Sequence, residues 1–442
     1  MKKPLVSTRG FFYLFMRQAH FHQVNNLEEF KKKALFWAAQ FKSASYFESN
    51  DFKDSYSAFD TLIAAGEAKS LTCAAGSAFD EIEGFLEDNQ SFLPGFLSYD
   101  LKNEIEDLKS DNPDNLHFPD LFFFEPLHLI LIKQEEISFF SSDPEMIIAE
   151  IENTTCQANC NKDFSASIKN RFSKSDYIEA VNDLKKHINK GEIYEVNFCQ
   201  EFYAENVDLI PVQAYFELNK LSPAPFSNFF KVDGKYIISA TPERFLSRRG
   251  NKLISQPIKG TAKRQISVHA DQKAKTELLN NEKELSENVM IVDLVRNDLT
   301  RSALPGTVLV EELFGIYSFK QVHQMISTVV CKADSDLSNA AILKNTFPMG
   351  SMTGAPKISA MKLIEKYERT RRGMYSGTVG YFSPDGDFDF NVIIRSILYS
   401  AESRYLSFQV GSAITSNCDA EKEYEECLLK AEAILEVLGC KM

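Results

Sequence analysis

The stretch YSGTVGYFSPDGDFDFNVIIRSILYSAESRYLSFQVGSAI, residues 375–414, decides the fold class of this chain. It contains three runs rich in β-branched and aromatic residues, 375–382, 388–399 and 405–414, separated by the turn sequences SPDGD and AESR. Runs of this kind between short polar turns predict an antiparallel β-meander. We therefore expect a sheet in the last part of the chain.

A long helix is predicted directly after this meander. Asp419 is placed to cap it, Glu421 and Glu423 suit the positive end of its dipole, and Gly439 ends it. Apolar residues recur between these ends at helical spacing. The same spacing predicts helices over residues 26–41, 175–190 and 279–299.

Length and composition set the broad class of the protein. The chain has 442 residues, of which 44% are hydrophobic and 25% charged, which is typical of a globular protein with two or three domains or one composite domain. The longest apolar runs are far shorter than the roughly 20 residues of a membrane span, and no secretory signal is recognisable at the N-terminus. We therefore expect a cytoplasmic protein without a membrane segment.

The chain divides into three predicted parts. Residues 1–25 are a leader of unexplained role, residues 26–155 an N-terminal part of a composite domain, and residues 165–442 a larger C-terminal region. Residues 152–162 are predicted to form a linker or loop, and the polar residues 102–115 a surface loop. The eight cysteines lack zinc-ligand spacing, so free thiols are expected.

The net charge of −13 excludes one class of partner and restricts another. No basic run is present that could neutralise nucleic-acid phosphates. An anionic small molecule can bind only if cations are concentrated at one site. A binding site for an anion must therefore be sought in a local cluster.

Two pairs of carboxylates, Glu284 with Glu287 and Glu423 with Glu426, lie three residues apart on predicted helices. Each pair faces one side of its helix. If the two faces meet in a cleft, the four carboxylates would need a divalent cation, and oxygen-only ligands select a hard ion such as Mg²⁺. The more common use of this spacing is a solvated helix face.

The sequence FPMGSMTGAPK, residues 347–357, resembles a phosphate loop but does not have its spacing. Pro356 suits the first turn of a following helix. Glycines near a helix start offer N–H groups to an anion, and a carboxylate would serve as well as a phosphate. The alternative is a helix cap with a tight glycine turn.

Several sequence blocks together resemble the chorismate-utilising enzymes, a family that includes the anthranilate, aminodeoxychorismate, isochorismate and salicylate synthases. The blocks occur in the family's order over residues 239–245, 257–261, 283–299, 347–357, 375–381 and 423–430. The resemblance implies an α/β (α+β) fold of two similar, intertwined halves, with sheets packed together and helices outside. It also identifies residues 165–442 as a chorismate-binding catalytic region.

Within this family, the residue between Pro-Ile and Gly-Thr separates two groups of enzymes. The anthranilate synthases are similar to P-I-A-G-T, whereas the aminodeoxychorismate synthases resemble P-I-K-G-T, the form present at residues 257–261. The resemblance implies a transferase of the transaminase class that makes 4-amino-4-deoxychorismate for p-aminobenzoate and folate. In it, Lys259 attacks C2 of chorismate with loss of the C4 hydroxyl, and ammonia then enters at C4 and displaces the lysine from C2.

A nucleophilic lysine needs a depressed pKa, because its ordinary pKa of about 10.4 leaves it protonated at neutral pH. Desolvation beside Ile258, together with nearby cations, could depress the pKa of Lys259. The alternative is that Lys259 only binds a substrate carboxylate. Glu243 is similar to the family's proton donor and could serve if burial raises its pKa. Alternatively, it forms a cap or pairs with Arg244.

The resemblance also implies how the chorismate dianion is bound. Mg²⁺ on Glu284, Glu287, Glu423 and Glu426 would take the ring carboxylate, helped by backbone N–H groups near Thr261 and Gly411. Tyr375 and Arg395 would bind the pyruvyl carboxylate. The alternative for Arg395 is an ordinary strand-face ion pair, and the alternative for Tyr375 is core packing. The remaining substrate-binding candidates are Gly350, Ser351 and Lys430.

The chain departs from the family pattern at three places. Ala413 stands where a glycine is usual, so the approach of the backbone to the substrate could differ. Glu195 stands where similar enzymes carry a glutamine, whereas relatives that use water as the nucleophile carry a lysine base at this position. The absence of that lysine favours ammonia over water. Gln324 stands where relatives carry a histidine, and His323 lies one residue earlier. On a strand that shift points the ring to the opposite face, so neither residue is assigned a role.

Ammonia must come from elsewhere, because no nucleophile turn of a glutamine amidotransferase is recognisable. A separate glutamine amidotransferase subunit, forming a heterodimer, is therefore implied. Residues 46–49 resemble the tryptophan-binding region of relatives, and whether tryptophan binds there is open. Two alternatives remain for the function: an anthranilate synthase component I, and a catalytically silent chorismate-binding subunit.

Overall fold

The computed structural model describes residues 19–156 and 167–440. Residues 1–18 of the predicted leader and 157–162 of the predicted linker lie outside the described residues. Residues 19–25 of the predicted leader are described, and they include a short strand, His20–His22, which pairs with the strand Glu136–Phe140. This part of the leader therefore extends the sheet.

Twenty strands lie in the described residues: β1 (His20–His22), β2 (Ser43–Glu48), β3 (Thr61–Cys73), β4 (Leu93–Leu97), β5 (Leu121–Lys133), β6 (Glu136–Phe140), β7 (Lys169–Asn170), β8 (Glu195–Ala204), β9 (Ser227–Val232), β10 (Lys235–Ser239), β11 (Arg244–Arg249), β12 (Lys252–Gln256), β13 (Ile258–Lys263), β14 (Leu309–Ser318), β15 (Val322–Lys332), β16 (Gly354–Ala355), β17 (Thr378–Phe382), β18 (Phe388–Asn391), β19 (Ser396–Ser400) and β20 (Tyr405–Ile414).

Eleven helices accompany these strands in the same residues: α1 (Leu27–Ala38), α2 (Ala78–Asp88), α3 (Lys102–Ile105), α4 (Pro144–Asn153), α5 (Lys174–Asn189), α6 (Pro211–Leu221), α7 (Val268–Leu279), α8 (Glu282–Thr300), α9 (Asn339–Thr346), α10 (Lys357–Tyr367) and α11 (Ala420–Val437). None of these helices is long and apolar enough to cross a membrane. The seven cysteines in the described part of the chain are free thiols.

The predicted helices are confirmed, and local capping explains where two of them begin. Asn281 accepts hydrogen bonds from backbone N–H groups at the start of α8, and Asp419 does the same for α11. Gly439, with φ of +66°, follows the end of α11 in the left-handed conformation that glycine tolerates best. These caps fix the ends of the two helices that carry the paired carboxylates.

The strands form two long antiparallel arms that meet at β5. We call them sheet I, in the order β5-β3-β2-β9-β10-β19-β20-β8, and sheet II, in the order β4-β17-β18-β11-β12-β15. Pairing of β4 with β5 joins the arms. Each arm combines N-terminal and C-terminal strands, so the halves of the chain are intertwined.

Two apolar cores hold these layers together. One face of sheet I packs against the helices α1, α4, α5, α6, α10 and α11. The second core contains residues of both sheets together with α2, α8 and α9. The predicted mixed architecture, with packed sheets and helices outside, is confirmed.

The predicted meander over residues 375–414 is only partly correct. β17 pairs with β18 in sheet II, and β19 pairs with β20 in sheet I, whereas β18 and β19 pair with other strands. The run 388–399 is therefore two strands, and the chain passes between the sheets at residues 392–395. Arg395 has φ of +51°, outside the strand conformation, so its predicted strand position is wrong.

The predicted surface loop over residues 102–115 is also wrong at its start. Lys102 begins α3 and is fully buried. Its ammonium lies 2.8 Å from a carboxylate oxygen of Glu365 and 3.4 Å from one of Asp100. A charged residue can be buried when it is paired in this way, and the local polarity of the sequence did not reveal the partners.

Candidate active site

Lys259 lies on β13, where the pairing with β15 is irregular. The register shifts between Ile258 and Thr261. Gly260, with φ of +101°, occupies this bulge in a conformation that favours glycine. The side-chain amide of Asn288 on α8 donates to the carbonyl oxygen of Lys259 at 3.3 Å. The bulge and this bond fix the Lys259 segment against α8.

The ammonium of Lys259 is enclosed by carboxylates. Its Nζ lies 3.1 Å from Oε1 of Glu195 on β8, and its side chain is 13% exposed. Burial alone would lower the pKa of Lys259, but the carboxylates of Glu195, Glu287 and Glu243 raise it above its ordinary value. The depressed pKa expected from the sequence is therefore wrong for the chain alone, because carboxylate charge outweighs desolvation.

Glu243 lies between β10 and β11 and is 4% exposed. Burial raises the pKa of Glu243 to about 7, although a hydrogen bond from Ser351 and the nearby charges of Lys259 and Arg395 act in the opposite direction. The condition set for a proton donor, a pKa raised by burial, is confirmed. Glu243 can therefore hold a proton near neutral pH.

The alternative that Glu243 pairs with Arg244 is not supported. The Arg244 guanidinium binds the carboxylate of Asp389 through two nitrogens at 2.9 Å each. It also donates to Gln256 at 2.6 Å. Arg244 is thus committed to sheet II, and Glu243 faces Ser351 instead.

Gly350 and Ser351 belong to a segment that we call the site turn, residues 347–353. Both line a pocket with Glu243. A Cβ on Gly350 would lie 2.9 Å from Leu294 of α8, so the close packing there requires glycine. Both residues lie in a short 3-10 turn, Gly350–Met352, which precedes α10 and is not part of its first turn. The tight-turn alternative therefore describes their backbone.

The two pairs of carboxylates lie on facing helices. Lys283 of α8 reaches across to α11, with Nζ 3.2 Å from Oε1 of Glu423 and 3.7 Å from Oε1 of Glu287. Burial raises the pKa of Glu287 to about 7 and also raises the pKa of Glu284. A cation placed between the helices would relieve this concentration of negative charge.

Magnesium would suit the chemistry of these donors. Glu284, Glu287, Glu423 and Glu426 offer only oxygen ligands, and Oε1 of Glu287 is buried without a hydrogen-bond partner among the described residues. Within residues 19–156 and 167–440, no three side chains of the metal-binding types lie close enough together to hold an ion. An ion would therefore have to displace Lys283 and draw the carboxylates inward. Magnesium binding stays a prediction.

Three further predicted residues lie near β8 and α11: Tyr375, Gly411 and Lys430. The hydroxyl of buried Tyr375 accepts a hydrogen bond from the Cys199 thiol at 3.7 Å, and a Cβ on Gly411 would lie 2.4 Å from the same sulfur. Lys430 donates to the carbonyl oxygen of Gly411 at 2.8 Å and lies 2.7 Å from Glu426. Lys430 therefore joins β20 to the acidic side of α11.

Arg395 lines a second pocket together with Gln324. Burial lowers the pKa of Arg395, with Glu243 opposing. Gln324 is the cross-strand partner of the exposed Thr261. His323 points to the other face, where its Nε2 lies 2.9 Å from Asp271. The predicted opposite orientation of these neighbours is confirmed.

The predicted residues are thus brought together in groups. Lys259, Ser351 and Arg395 each interact with Glu243. The paired glutamates face each other from α8 and α11, and Tyr375, Gly411 and Lys430 lie on the β8 side. Thr261 is exposed on β13 and makes none of the polar contacts described above. The roles of these residues toward a substrate stay predictions.

Three residues with evident roles in the site were missed. Lys283 joins the acidic helices, Asn288 holds the Lys259 backbone, and Arg372 binds the site turn. Lys283 and Asn288 each adjoin a predicted metal ligand in the 283–299 block, and Arg372 lies three residues before Tyr375. Position in these blocks was the available signal, but their contacts come from different strands and helices.

Comparisons of the sequence with known proteins point to one enzyme family. The profile of the family described as chorismate binding enzyme matches residues 31–436. The aminodeoxychorismate synthase component 1 of Klebsiella aerogenes is 33% identical over 347 residues, covering 78% of this chain and 76% of that protein. An anthranilate synthase component I-like protein of Synechocystis is 32% identical over 350 residues, covering 78% and 72%.

A solved structure shares the fold. The anthranilate synthase component I of Streptococcus pneumoniae TIGR4 superposes with a TM-score of 0.75 at 23% identity, covering 88% of this chain and 95% of that one. The two curated relatives carry different activity names at nearly equal identity, so identity alone does not separate the activities. The extent of the profile match and the coverage of the relatives show that this chain belongs to the chorismate-binding enzyme family.

Proposed function

We propose that this protein aminates chorismate at C4 with ammonia, giving 4-amino-4-deoxychorismate for p-aminobenzoate and folate biosynthesis. One observation carries the proposal: a primary amine, Lys259, is enclosed with Glu195 and Glu243 where the family's blocks converge. The relative named aminodeoxychorismate synthase component 1 supports it.

The reaction begins with transfer of a proton from Lys259, because only the free amine is a nucleophile. Oε1 of Glu195 lies 3.1 Å from Nζ and is placed to accept that proton. The amine then forms a bond to C2 of chorismate as the ring double bonds shift and the C4–oxygen bond breaks. Glu243 donates the proton with which the hydroxyl leaves as water.

The second displacement restores the protein. Ammonia forms a bond to C4, the double bonds shift back, and the C2–nitrogen bond to Lys259 breaks. The new ammonium group returns a proton to Glu243, and Lys259 takes its proton back from Glu195. The sum is chorismate plus ammonia giving aminodeoxychorismate plus water.

Cations concentrated at the site offset the charge of the chorismate dianion. Arg395 and Tyr375 would bind the pyruvyl carboxylate, with Lys430 and backbone N–H groups near Gly411 and Thr261 assisting. Magnesium held by the four helix carboxylates would supply positive charge to the ring carboxylate. Gly350 and Ser351 would line the same cavity.

The ammonia is proposed to come from a separate glutamine amidotransferase subunit in a heterodimer, as the designation component 1 of relatives suggests. Binding of tryptophan at residues 46–49 stays a prediction. In that segment Tyr46 donates to Glu48 at 2.7 Å, and Lys31 lies 3.3 Å from the same carboxylate oxygen. A cytoplasmic location also stays a prediction.

The second candidate function is anthranilate synthesis, favoured by the name of the Synechocystis relative. Both reactions begin from chorismate, but anthranilate synthesis releases pyruvate and amination at C4 retains the pyruvyl ether. Lys259 within P-I-K-G-T favours amination at C4. A catalytically silent subunit is disfavoured because Lys259 and both acidic pairs are present.

The test is identification of the product from chorismate, ammonium and Mg²⁺. We expect aminodeoxychorismate from the wild type and a loss of roughly a thousandfold in Lys259→Met. The matched control is Lys231→Met, since Lys231 is a half-buried lysine whose amine binds the carbonyl oxygen of Ala39. Anthranilate and pyruvate as the products would overturn the proposal, and undiminished turnover by Lys259→Met would remove the covalent step.

A further inference from the structure

The site turn presents Ser351 to Glu243, and hydrogen bonds within the turn set its shape but not its place against Glu243. The N–H of Met352 donates to the carbonyl oxygen of Met349 at 3.2 Å, and the N–H and Oγ1 of Thr353 both donate to that of Gly350 at 3.1 Å. Ser351 is 7% exposed and hydrogen-bonds to Glu243. The position of this bond therefore depends on neighbours that hold the two ends of the turn.

Lys357 holds the first end. Its ammonium lies 2.6 Å from Oδ2 of Asp298 on α8 and donates to the carbonyl oxygens of Pro348 at 2.8 Å and Thr346 at 3.4 Å. An ammonium has three N–H groups, and these acceptors account for all of them. The start of the turn is thus fixed to α8 through a buried ion pair.

Arg372 holds the other end. Its guanidinium binds both oxygens of Glu368, at 2.9 and 2.6 Å, and donates to the carbonyl oxygen of Met352 at 2.6 Å. It also donates to the carbonyl oxygen of Asn197 at 2.8 Å and to the Ser376 hydroxyl at 3.3 Å. These bonds use all five N–H donors of a guanidinium, and the side chain is buried.

The acceptors of Arg372 lie next to residues of the proposed reaction. Met352 follows Ser351, the partner of Glu243, and Asn197 lies two residues after Glu195 on β8. One planar guanidinium therefore spans the site turn and β8. The N–H of Asn197 also donates directly to the carbonyl oxygen of Thr353 at 2.8 Å, and the rigid fork of Arg372 holds this junction, and with it the separation between the proton donor and the carboxylate that pairs with Lys259.

We propose that Arg372 and Lys357 are positioning residues for the amination reaction. They fix the site turn at both ends so that Ser351 orients Glu243, and Arg372 also fixes β8 in register with it. This inference rests on the proposed function, since the residues that it positions are those of that reaction.

Arg372→Lys is the sharpest test, because it keeps the charge and loses the fork. An ammonium offers three donors to five acceptors, so at least two acceptors lose their partner. A small misplacement of catalytic groups is costly, so we expect kcat to fall about tenfold while KM changes less than about twofold. A side chain that served only folding would change stability without this pattern.

Lys102→Met is the matched control. Lys102 is as deeply buried as Arg372 and pairs with Glu365 and Asp100, but it binds neither the site turn nor β8. We expect this variant to melt at a lower temperature and to keep the kcat and KM of the wild type. If folding of Arg372→Lys fails, the double variant Lys357→Gln with Asp298→Asn removes both charges at the other end together.

The pKa of Glu243 provides a readout that does not require turnover. Ser351, Lys259 and Arg395 face Glu243 and lower its pKa against the effect of burial. If the site turn shifts in Arg372→Lys, the hydrogen bond from Ser351 weakens and the pKa of Glu243 rises. Titration of Glu243 by ¹³C NMR should show an upward shift in Arg372→Lys and in Ser351→Ala, and none in Lys102→Met.

A double variant completes the test. If Arg372 acts through Ser351, Arg372→Lys combined with Ser351→Ala should lose little more activity than the more damaging single change. Additive losses, or a wild-type kcat and Glu243 pKa in Arg372→Lys, would overturn the inference. A wild type that does not aminate chorismate would instead overturn the proposed function, and the titration would still decide the positioning role.

Discussion

Two cations of this protein, the buried Arg372 and the largely enclosed Lys259, differ in how completely their surroundings satisfy them. Arg372 places each of its five donors on an acceptor and shares its charge with Glu368. Lys259 has one close carboxylate oxygen, from Glu195, within a cluster that also contains Glu243 and Glu287. The first environment is closed, whereas the second holds more acceptors than its cation uses.

The acceptors around Lys259 confirm this difference. Oε2 of Glu195 and Oε1 of Glu287 are buried and have no hydrogen-bond partner within residues 19–156 and 167–440. Unsatisfied buried carboxylate oxygens are costly, so they are tolerated mainly where a ligand or ion completes them. For these two cations, the fully satisfied pair of Arg372 with Glu368 is part of the scaffold, whereas the unpartnered oxygens beside Lys259 leave room for a ligand.

The largest effects are expected when the carboxylate partner of each cation is neutralised. Glu195→Gln removes the group placed to accept the Lys259 proton, so we expect kcat to fall about 100-fold at neutral pH. The loss should shrink as pH rises, because solvent then removes the proton. The stability of the Glu195→Gln protein should change little, since Glu243 and Glu287 still surround Lys259.

Glu368→Gln is the matched change at the other cation. Here the expected effect is on folding, because breaking a buried pair leaves Arg372 uncompensated and costs about 3 kcal/mol of unfolding free energy. Denaturant unfolding of both variants makes the measurement. Equal losses of stability in Glu195→Gln and Glu368→Gln would show that the two cations are held alike.

The pH dependence of kcat sharpens the assignment of Glu243. The pKa of Glu243 is raised to about 7, and that of Lys259 is also raised, so below pH 7 both groups are protonated. In the proposed reaction Glu195 accepts the proton of Lys259 and Glu243 donates its own, so this protonated form is the productive one. We therefore expect kcat to be level below about pH 7 and to fall about tenfold per pH unit above it, as Glu243 loses its proton.

In Glu243→Gln the proton donor that titrates near pH 7 is gone, so the rate, although lower, should stay level as pH rises through 7. A pH–rate profile of both proteins from pH 5.5 to 9 makes the comparison. The same break near pH 7 in both proteins would contradict the role of Glu243.

The smallest expected effect concerns the acidic helices. If Mg²⁺ replaces Lys283 between α8 and α11, saturating Mg²⁺ should raise the melting temperature by roughly 2–5 °C. The shift should disappear in Glu287→Gln with Glu423→Gln, which removes one predicted ligand from each helix. A melting temperature indifferent to Mg²⁺ would contradict the predicted metal ligands.

Local features of the sequence were enough to predict several elements. α5, α8 and α11 follow from apolar spacing, and α11 also from the cap at Asp419, since those signals lie within a few turns of one another. The acidic pairs could be placed on helix faces for the same reason. The placement of residues 388–399 could not be predicted, because two halves of that run join different sheets.

The pKa of Lys259 shows a second limit of local reading. Its neighbours in the chain, Ile258 and Gly260, predict desolvation and a lowered pKa. The carboxylates that raise it come from β8, α8 and the loop before β11, more than ten residues away in sequence. Charge acts through space, so the sign of the shift depends on the fold.

The sequence by itself determined membership of the family, the main amphipathic helices, the cap of the last one at Asp419, and which residues carry acid, amine and carboxylate chemistry. Those properties follow from residue type and short-range spacing. Only the tertiary structure decided that Lys259 pairs with Glu195, that Lys283 lies between the acidic helices, and that Arg372 joins the site turn to β8. Each of these contacts joins segments far apart in the chain, where packing of the two sheets sets the distances.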